Sequence, residues 1–565
     1  MPHATFAETL LARSGDPRPG LYFEDETHTW DEVVRAARAR AAWAPDLCAT
    51  PDGRVRHIGV LLENVPEFVF WIGAAALAGC TLVGINPTRR GAGLAGDIRH
   101  TDCDVILTDA AHAPLLAGLD LGVPVHRVDS AGYRDALPRD VPGGPGPGAS
   151  PVPSDRLLLL FTSGSTGAPK AVSCGQGRLA GIGSKASDMG IGRDSVTYAA
   201  MPLFHGNAVM ANLAMAAHAG AAVALRRRFS ASGFLPDVRR YGVTYFNYVG
   251  RALAYVLATP ERPDDADNTL ASAFGTEASA QDMARFGSRF GCRIIEGYGS
   301  SEGAIAIHKV PGTPPDALGV PRPGIEVAVL DPGTGAECPP ARFAPDGALA
   351  NPDDAIGELV GLNVAGSFEG YYNNPEADAE RVRGGLYWSG DLGYRDADGY
   401  LYFAGRTADR LRVDSENFAA APVERVLARW DPVVMCAVYP VPDPRTGDQV
   451  MAALELADGR PFEPDAFAAF LAAQSDLGTK WAPRFVRVVP AMPLTATGKI
   501  DKRPLRRALW DADGGADGGA DGGGDGGVWW RPGRDLAYEP LSAAAARAVR
   551  AEFAEHGRTH VLGAL

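Results

Sequence analysis

Residues 157–170 read LLLLFTSGSTGAPK: five apolar positions, 157–161, run straight into a loop of hydroxyl residues and glycines. A continuous apolar run closed by turn residues is the mark of a strand covered on both faces, as in a parallel sheet packed between helices. Thr162, Ser163, Gly164, Ser165, Thr166 and Gly167 offer hydroxyls and approachable backbone N–H groups, and Lys170 adds a point positive charge. That is the equipment for wrapping a polyphosphate. The spacing is not that of the common P-loop, whose Gly-Lys-Ser/Thr opens a helix; here Pro169 precedes the lysine and apolar residues follow. A second strand is therefore expected after Lys170. Taken alone, six such residues also fit a Ser/Gly-rich surface turn, and it is the adjoining strand and lysine that favour the phosphate reading.

On the N-terminal side, residues 20–43 read as a strand around Tyr22 and Phe23, then a helix opened by Thr29 with Glu32 at capping-box spacing. From His57 the pattern is strand 57–62, helix 66–78, strand 81–85, helix 94–101 and strand 105–108. Strands alternating with helices predict a parallel sheet. Residues 68–85 are 18 uncharged positions, the lower limit for a membrane span. Gly73, Gly79, Cys80, Thr81 and Gly84 break that run into a buried helix and a buried strand, so no integral membrane span is expected. A Gly/Pro-rich connector, residues 142–153, leads to the strand at Leu157.

On the C-terminal side, alternation resumes over 179–295 and predicts a second sheet of similar plan. After Gly319 short strands with Gly/Pro turns end at YLYFAGR (400–406), a β-rich subdomain. Residues 407–510, with VVMCAVYPV (433–441) and FVRVVP (485–490), suffice for a small α+β lid. Residues 513–527 repeat DGGA or DGGG without an apolar position, so a flexible anionic linker is expected rather than a calcium-binding β-roll. The fold class is thus α/β, with a large N-terminal domain of two parallel-type sheets packed with helices plus a β-rich subdomain, and a small mobile α+β C-terminal lid. The expected boundaries are 1–405 for the core, 406–510 for the lid, 511–527 for the linker and 528–565 for a tail. Trp529, Trp530 and Tyr538 in that tail are expected to dock it back on the body.

A chain of 565 residues is too long for one core, and 46% hydrophobic against 22% charged residues leaves ample material for burial. The net charge of -14 argues against a nucleic-acid surface and points to small-molecule partners. Seven scattered cysteines without a CxxC pair suggest neither a disulfide frame nor a zinc site, and fit a reducing cytoplasm. The N-terminus has no basic start followed by an apolar run, so no secretion signal is read and a cytoplasmic location is expected.

With these motifs in view, TSGSTGAPK resembles the signature loop of the adenylate-forming superfamily of acyl-CoA synthetases, luciferases and peptide-synthetase adenylation domains. Further segments follow in the superfamily's order. GYGSSEG (297–303) resembles its Tyr-Gly-x-Thr-Glu loop with serine for threonine; the match implies that Tyr298 stacks on adenine, Ser301 hydrogen-bonds the α-phosphate and Glu302 holds Mg2+. YWSGDLG (387–393) places Asp391 where an aspartate grips the ribose hydroxyls, and GRTADRLRV (405–413) places Arg406 where an arginine reaches the nucleotide. PLTATGKIDK (493–502) puts Lys499 at the adenylation lysine, which bridges the substrate carboxylate and the α-phosphate. MPLFHGNAVM (201–210) puts His205 at a gate between the ATP site and the organic substrate, although a histidine beside Phe204 equally reads as a satisfied structural residue. FGTEAS (274–279), with Tyr245, Phe246 and Tyr248, should floor the organic pocket. The implied chemistry is attack of an oxyanion on the α-phosphorus of ATP with pyrophosphate leaving, which demands charge neutralisation and in-line positioning.

The resemblance covers residues 5–510, and PLFHGNA, FEGYYNNPEA and SENFAAAPVE bring it closest to the fatty-acid transport and very-long-chain acyl-CoA synthetase branch. It implies an AMP-forming ligase acting on a fatty or aromatic carboxylic acid with ATP, Mg2+ and CoA. Two positions depart from the pattern. The lid hinge is Ala408, where many relatives carry Asp or Lys. Ser415 stands where relatives carry the glycine that passes the pantetheine arm, and its side chain can obstruct the close approach and positive φ that glycine permits. Ser415 and Glu277 together motivate an alternative, an ATP-dependent diazotase that activates nitrite and passes a nitrosyl group to an aryl amine, in actinomycete antibiotic biosynthesis. A third reading, an inactive nucleotide-binding scaffold, is disfavoured by Lys170, Glu302, Asp391, Arg406 and Lys499 occurring together. Oligomeric state is not legible in the sequence.

Overall fold

A computed structural model describes the chain except residues 1–2, 48–55, 140, 142–149, 163–169, 250–251, 277, 279, 345–348, 407–409, 414–415, 446, 458, 475–476, 479, 496–497, 511–526, 534 and 564–565. The chain packs as two units, one of Met1–Ala306, Ala365–Arg383 and Ala496–Gly498, the other of Ile307–Val364, Gly384–Thr495 and Lys499–Leu565.

In the first unit the apolar run is the strand Arg156–Thr162, and the expected second strand follows as Lys170–Gly175, buried throughout. They pair antiparallel with Thr162 opposite Lys170. They close one end of a six-stranded sheet in the order Val125–Arg127, Val105–Thr108, His57–Leu61, Thr81–Gly84, Arg156–Thr162, Lys170–Gly175. All other neighbours in it are parallel, a pairing that needs the crossover connections this segment supplies. The 18-residue uncharged run resolves as expected into the helix Pro66–Ala78 and the strand Thr81–Gly84. Gly79 separates them at φ 69°, a left-handed C-cap that glycine adopts without steric cost. Among the described residues no helix is long and apolar enough to cross a membrane.

The alternation over 179–295 builds the second sheet, ordered Arg293–Gly299, Ser272–Thr276, Tyr245–Val249, Val196–Ala199, Ala222–Leu225, Pro19–Phe23, Glu26–Thr29. The N-terminal strand Pro19–Phe23 thus pairs parallel with a segment about 200 residues later in the chain, a partnership set by tertiary packing. Trp30 secures it: the ring is fully buried and its indole N–H donates to the Ala221 carbonyl at 3.1 Å. The capping box forms, with Glu32 N–H donating to Thr29 Oγ1 at 3.1 Å and Thr29 N–H to Glu32 Oε2 at 2.8 Å.

In the second unit the short strands after Gly319 form an antiparallel sheet of Val327–Leu330, Gly357–Gly361, Leu386–Arg395 and Leu401–Arg406. A further sheet holds Val433–Pro442, Asp448–Leu456 and Phe485–Val489, and it continues beyond the Asp/Gly stretch through Val528–Trp530 and Glu539–Pro540. The tail therefore docks by strand addition. Aromatic packing reinforces it: Trp510 stacks on Phe485 at 5.2 Å and on Phe553 at 5.8 Å, and the Tyr538 hydroxyl donates to the Pro483 carbonyl at 2.6 Å. Cys80, Cys103, Cys174, Cys292, Cys338 and Cys436 are free thiols.

Candidate active site

The strands Val196–Ala199, Tyr245–Val249, Ser272–Thr276 and Arg293–Gly299 run parallel, so the segments leaving their carboxyl ends share one rim of the sheet. Ligands of open α/β sheets bind at such a rim. MPLFHGNAVM, the described residues of FGTEAS and GYGSSEG all occupy it, which is how motifs some 90 positions apart become neighbours. Tyr298 lies half-buried near the end of Arg293–Gly299.

Thr162 and Lys170 flank the hydroxyl- and glycine-rich loop. Ser163, Gly164, Ser165, Thr166 and Gly167 lie outside the described residues, as do Glu277, Ala408 and Ser415. Lys170 is 6% exposed. Its Nζ stands 3.0 Å from Glu380 Oε2 and 5.3 Å from the centroid of the Tyr371 ring. Backbone pairing puts the ring there: Tyr372 N–H donates to the Ala171 carbonyl at 2.8 Å and Ser173 N–H to the Gly370 carbonyl at 3.1 Å. Residues 370–372 thus lie along Lys170–Gly175, joined to it by an antiparallel bridge between Tyr371 and Val172.

Glu302 is 8% exposed and accepts a 2.7 Å hydrogen bond from the Tyr371 hydroxyl, which itself accepts from Arg381 Nε at 3.2 Å. Burial pushes the Glu302 carboxyl up, but hydrogen bonds from Tyr371 and Ser300 and the nearby Arg381 charge outweigh it and hold the group below the usual carboxylate range. Burial, reinforced by the Glu302 charge, raises the Tyr371 phenol, which stays a protonated donor. A single buried carboxylate kept ionised suits Mg2+, a hard cation that takes one or two protein carboxylates beside phosphates and water. Among the described residues no group of three or more His, Cys, Asp or Glu is placed to hold a metal ion.

Arg178 ties this turn to the phosphate strand by donating to the carbonyls of Ser301 and, at 3.1 Å, Ser173. A Cβ placed on Gly206 would lie 3.2 Å from Ser301 Oγ, so the serine hydroxyl sits beside the residue that follows His205. The His205 loop is held from two sides. Buried Asn64 donates to the Met201 carbonyl at 2.9 Å and accepts from Leu203 N–H at 2.8 Å, while a Cβ on Gly84 would stand 2.9 Å from Phe204 Cα. His205 itself is half-buried with its ring 5.7 Å from that of Phe204. Behind it runs a buried polar chain in which Thr197 donates to Asn212 at 2.8 Å, Asn212 to Asn247 at 2.7 Å and Asn247 to Asn207 at 2.6 Å. No sequence pattern singles out Arg178 or Asn64. The asparagine inside the otherwise apolar and aromatic strand YFNYV is a legible signal, because a buried amide must find partners.

Asp391, Arg406 and Lys499 belong to the second unit. Asp391 lies opposite Arg406 in the antiparallel pair Leu386–Arg395 and Leu401–Arg406, and its N–H donates to Ser389 Oγ at 3.1 Å. The backbone of Arg406 is described and its side chain is not. Lys499 sits in a tight turn: Thr495 N–H donates to the Lys499 carbonyl at 2.7 Å, Lys499 N–H to Thr495 Oγ1 at 3.2 Å, and Gly498 takes φ 79°.

A family model described as AMP-binding enzyme matches residues 10–372, and one described as AMP-binding enzyme C-terminal domain matches residues 422–499. The steroid-22-oyl-CoA synthetase of Rhodococcus jostii (strain RHA1) is 52% identical over 514 residues, 90% of this chain and 92% of that protein. The medium/long-chain-fatty-acid–CoA ligase FadD17 of Mycobacterium marinum (strain ATCC BAA-535 / M) is 48% identical over 507 residues, 88% of this chain and 94% of its own. Among solved structures, the anthranilate CoA ligase AuaEII in complex with anthranoyl-AMP matches with TM-score 0.76 at 22% identity, over 90% of this chain and 98% of that one, a likeness of fold. The diazotase alternative gains no support from the two sequence relatives, both of them CoA ligases by name.

Proposed function

This chain belongs to the AMP-binding enzyme family, and on that footing we propose which acid it activates. It is an AMP-forming acid–CoA ligase that uses ATP, Mg2+ and CoA. Its acid is a bulky apolar carboxylate, in the first instance the side-chain carboxylate of a steroid. The observation that carries this is 52% identity to a steroid-22-oyl-CoA synthetase over nine-tenths of both chains. Medium- or long-chain fatty acids are the second reading, carried by 48% identity to FadD17.

In this reading residues 1–405 are the adenylation core, 406–510 the mobile lid, 511–527 the linker and 528–565 the tail, in a cytoplasmic enzyme. ATP with Mg2+ supplies the electrophilic α-phosphorus and pyrophosphate as leaving group. The loop from Thr162 to Gly167 and Lys170 hold the phosphates, Ser301 the α-phosphate, Glu302 the Mg2+, Tyr298 the adenine, and Asp391 and Arg406 the remaining nucleotide. Lys499 neutralises charge shared by the incoming carboxylate and the α-phosphate as the new O–P bond forms and the bond to pyrophosphate breaks. His205 borders the entering carboxylate. The CoA thiol then displaces AMP from the acyl adenylate, with the arm passing Ser415.

The test compares kcat/KM for thioester and AMP formation with steroid C22 acids, medium- and long-chain fatty acids and benzoates, each with ATP, Mg2+ and CoA. The steroid acids are expected to lead. A fatty acid leading by about tenfold or more, a difference of ~1.4 kcal/mol in transition-state binding, overturns the steroid assignment in favour of the second reading.

A further inference from the structure

Lys170 holds phosphates in the proposed function, and the role of Glu380 rests on that assignment. In the structure Lys170 already faces an anion, the Glu380 carboxylate at 3.0 Å, and the two partners are unequal: the lysine side chain is 8% exposed and that of the glutamate 62%. A buried ammonium without a counter-charge is strongly disfavoured, whereas an exposed carboxylate loses little on turning into water. Glu380 is the penultimate residue of the helix Pro375–Arg381. The same helix carries Asp378, which accepts from Tyr371 N–H at 2.7 Å, and Arg381, which donates to the Tyr371 hydroxyl at 3.2 Å. One short helix thus supplies the counter-charge of Lys170 and, through Tyr371, steadies Glu302.

We propose that Glu380 is a displaceable counter-ion of the nucleotide site. It neutralises Lys170 while no polyphosphate is bound, yields that place to the phosphates of ATP, and reclaims it as pyrophosphate leaves. A carboxylate and a polyphosphate repel each other at a single ammonium, so the binding of either excludes the other. Glu380 therefore lowers the affinity of the site for both ATP and pyrophosphate, and its larger consequence is to hasten release of the product. Because one partner is exposed, the competition is worth a factor of about five in affinity.

Calorimetric titrations with Mg·ATP and with Mg·pyrophosphate, in the absence of acid and CoA, test this on the full chain as wild type, Glu380→Gln, Lys170→Met and the double variant. Glu380→Gln is expected to bind both ligands about threefold to tenfold more tightly, and in turnover to show a lower KM for ATP and stronger inhibition by pyrophosphate. The double variant is expected to bind as Lys170→Met does, since Glu380 then has no ammonium to compete for. Binding by Glu380→Gln no tighter than wild type, or a gain that persists in the Lys170→Met background, overturns the proposal. Equal binding by wild type and Lys170→Met overturns the phosphate role of Lys170 itself, a separate result from failure of the glutamate variant.

Discussion

The Tyr371 hydroxyl donates a 2.7 Å hydrogen bond to the carboxylate of Glu302, 69 positions away in the sequence. This contact joins a segment with no assigned catalytic motif to the acidic residue of GYGSSEG, and it makes the charge state of Glu302 depend on a phenol.

Replacing Tyr371 by phenylalanine leaves the buried carboxylate with one donor fewer, so Glu302 ionises at higher pH than in the wild type. Its folded pKa is depressed, hence the unfolded chain binds more protons between the two values and stability falls as pH drops through the folded one. In Tyr371→Phe that acid loss of stability moves to higher pH, as does the acid limb of kcat/KM, with activity near neutrality lowered about tenfold. Melting curves and rate profiles from about pH 3 to about pH 7 check both, and coincident acid limbs in the two proteins contradict the link.

Lys499→Ala is expected to lower acid-dependent ATP–pyrophosphate exchange by about a hundredfold or more while Mg·ATP binding stays measurable. The described hydrogen bonds of the turn that carries Lys499 run through the backbone and Thr495 Oγ1, and the alanine variant is expected to keep them. Exchange at the wild-type rate would remove Lys499 from the chemistry.

Asn247→Leu cuts the chain from Thr197 to Asn207 at its centre, stranding the Asn212 amide in an apolar interior. A loss of about 1–3 kcal/mol is expected in urea unfolding. The Asn207 amide beside the His205 loop also loses its partner, so KM for the acid should rise; a variant as stable as wild type shows the chain to be dispensable.

Ending the chain after Trp510 removes the strands Val528–Trp530 and Glu539–Pro540 and the helix Ala543–Glu555. Trp510 loses Phe553 and Phe485 loses Trp530, the two keeping only each other, and the edge of Phe485–Val489 is bared. Each buried aromatic contributes about 1.5–3 kcal/mol, so a clear fall in melting temperature and a tendency to aggregate are expected. Halving the Asp/Gly stretch while keeping the tail should change stability by only about 0.6 kcal/mol, because loop closure depends weakly on length. Melting curves of both proteins separate the two effects.

The strand Arg156–Thr162, the helix Pro66–Ala78 and the capping box at Thr29 were all legible in the sequence, because burial on both faces, a largely apolar run of helical length and a three-residue cap spacing are local patterns. Motif resemblance is what singled out Glu302, Asp391 and Lys499 as expected site residues. Tyr371, Glu380 and Arg381 were not, although they lie in FEGYYNNPEA and its continuation, since a tyrosine or a glutamate in a helical turn has no local mark of the residue it will face.

The order of residues along the chain determined which segments become strands, which loop carries hydroxyls and where the ionisable groups stand. Only the tertiary structure decided their partners: that Pro19–Phe23 pairs beside Ala222–Leu225, that the last strands complete the C-terminal sheet, and that Lys170 meets Glu380. The physical reason is that elements form from interactions within a few residues, whereas partners are chosen by which distant surfaces together exclude the most water and leave no buried charge uncompensated.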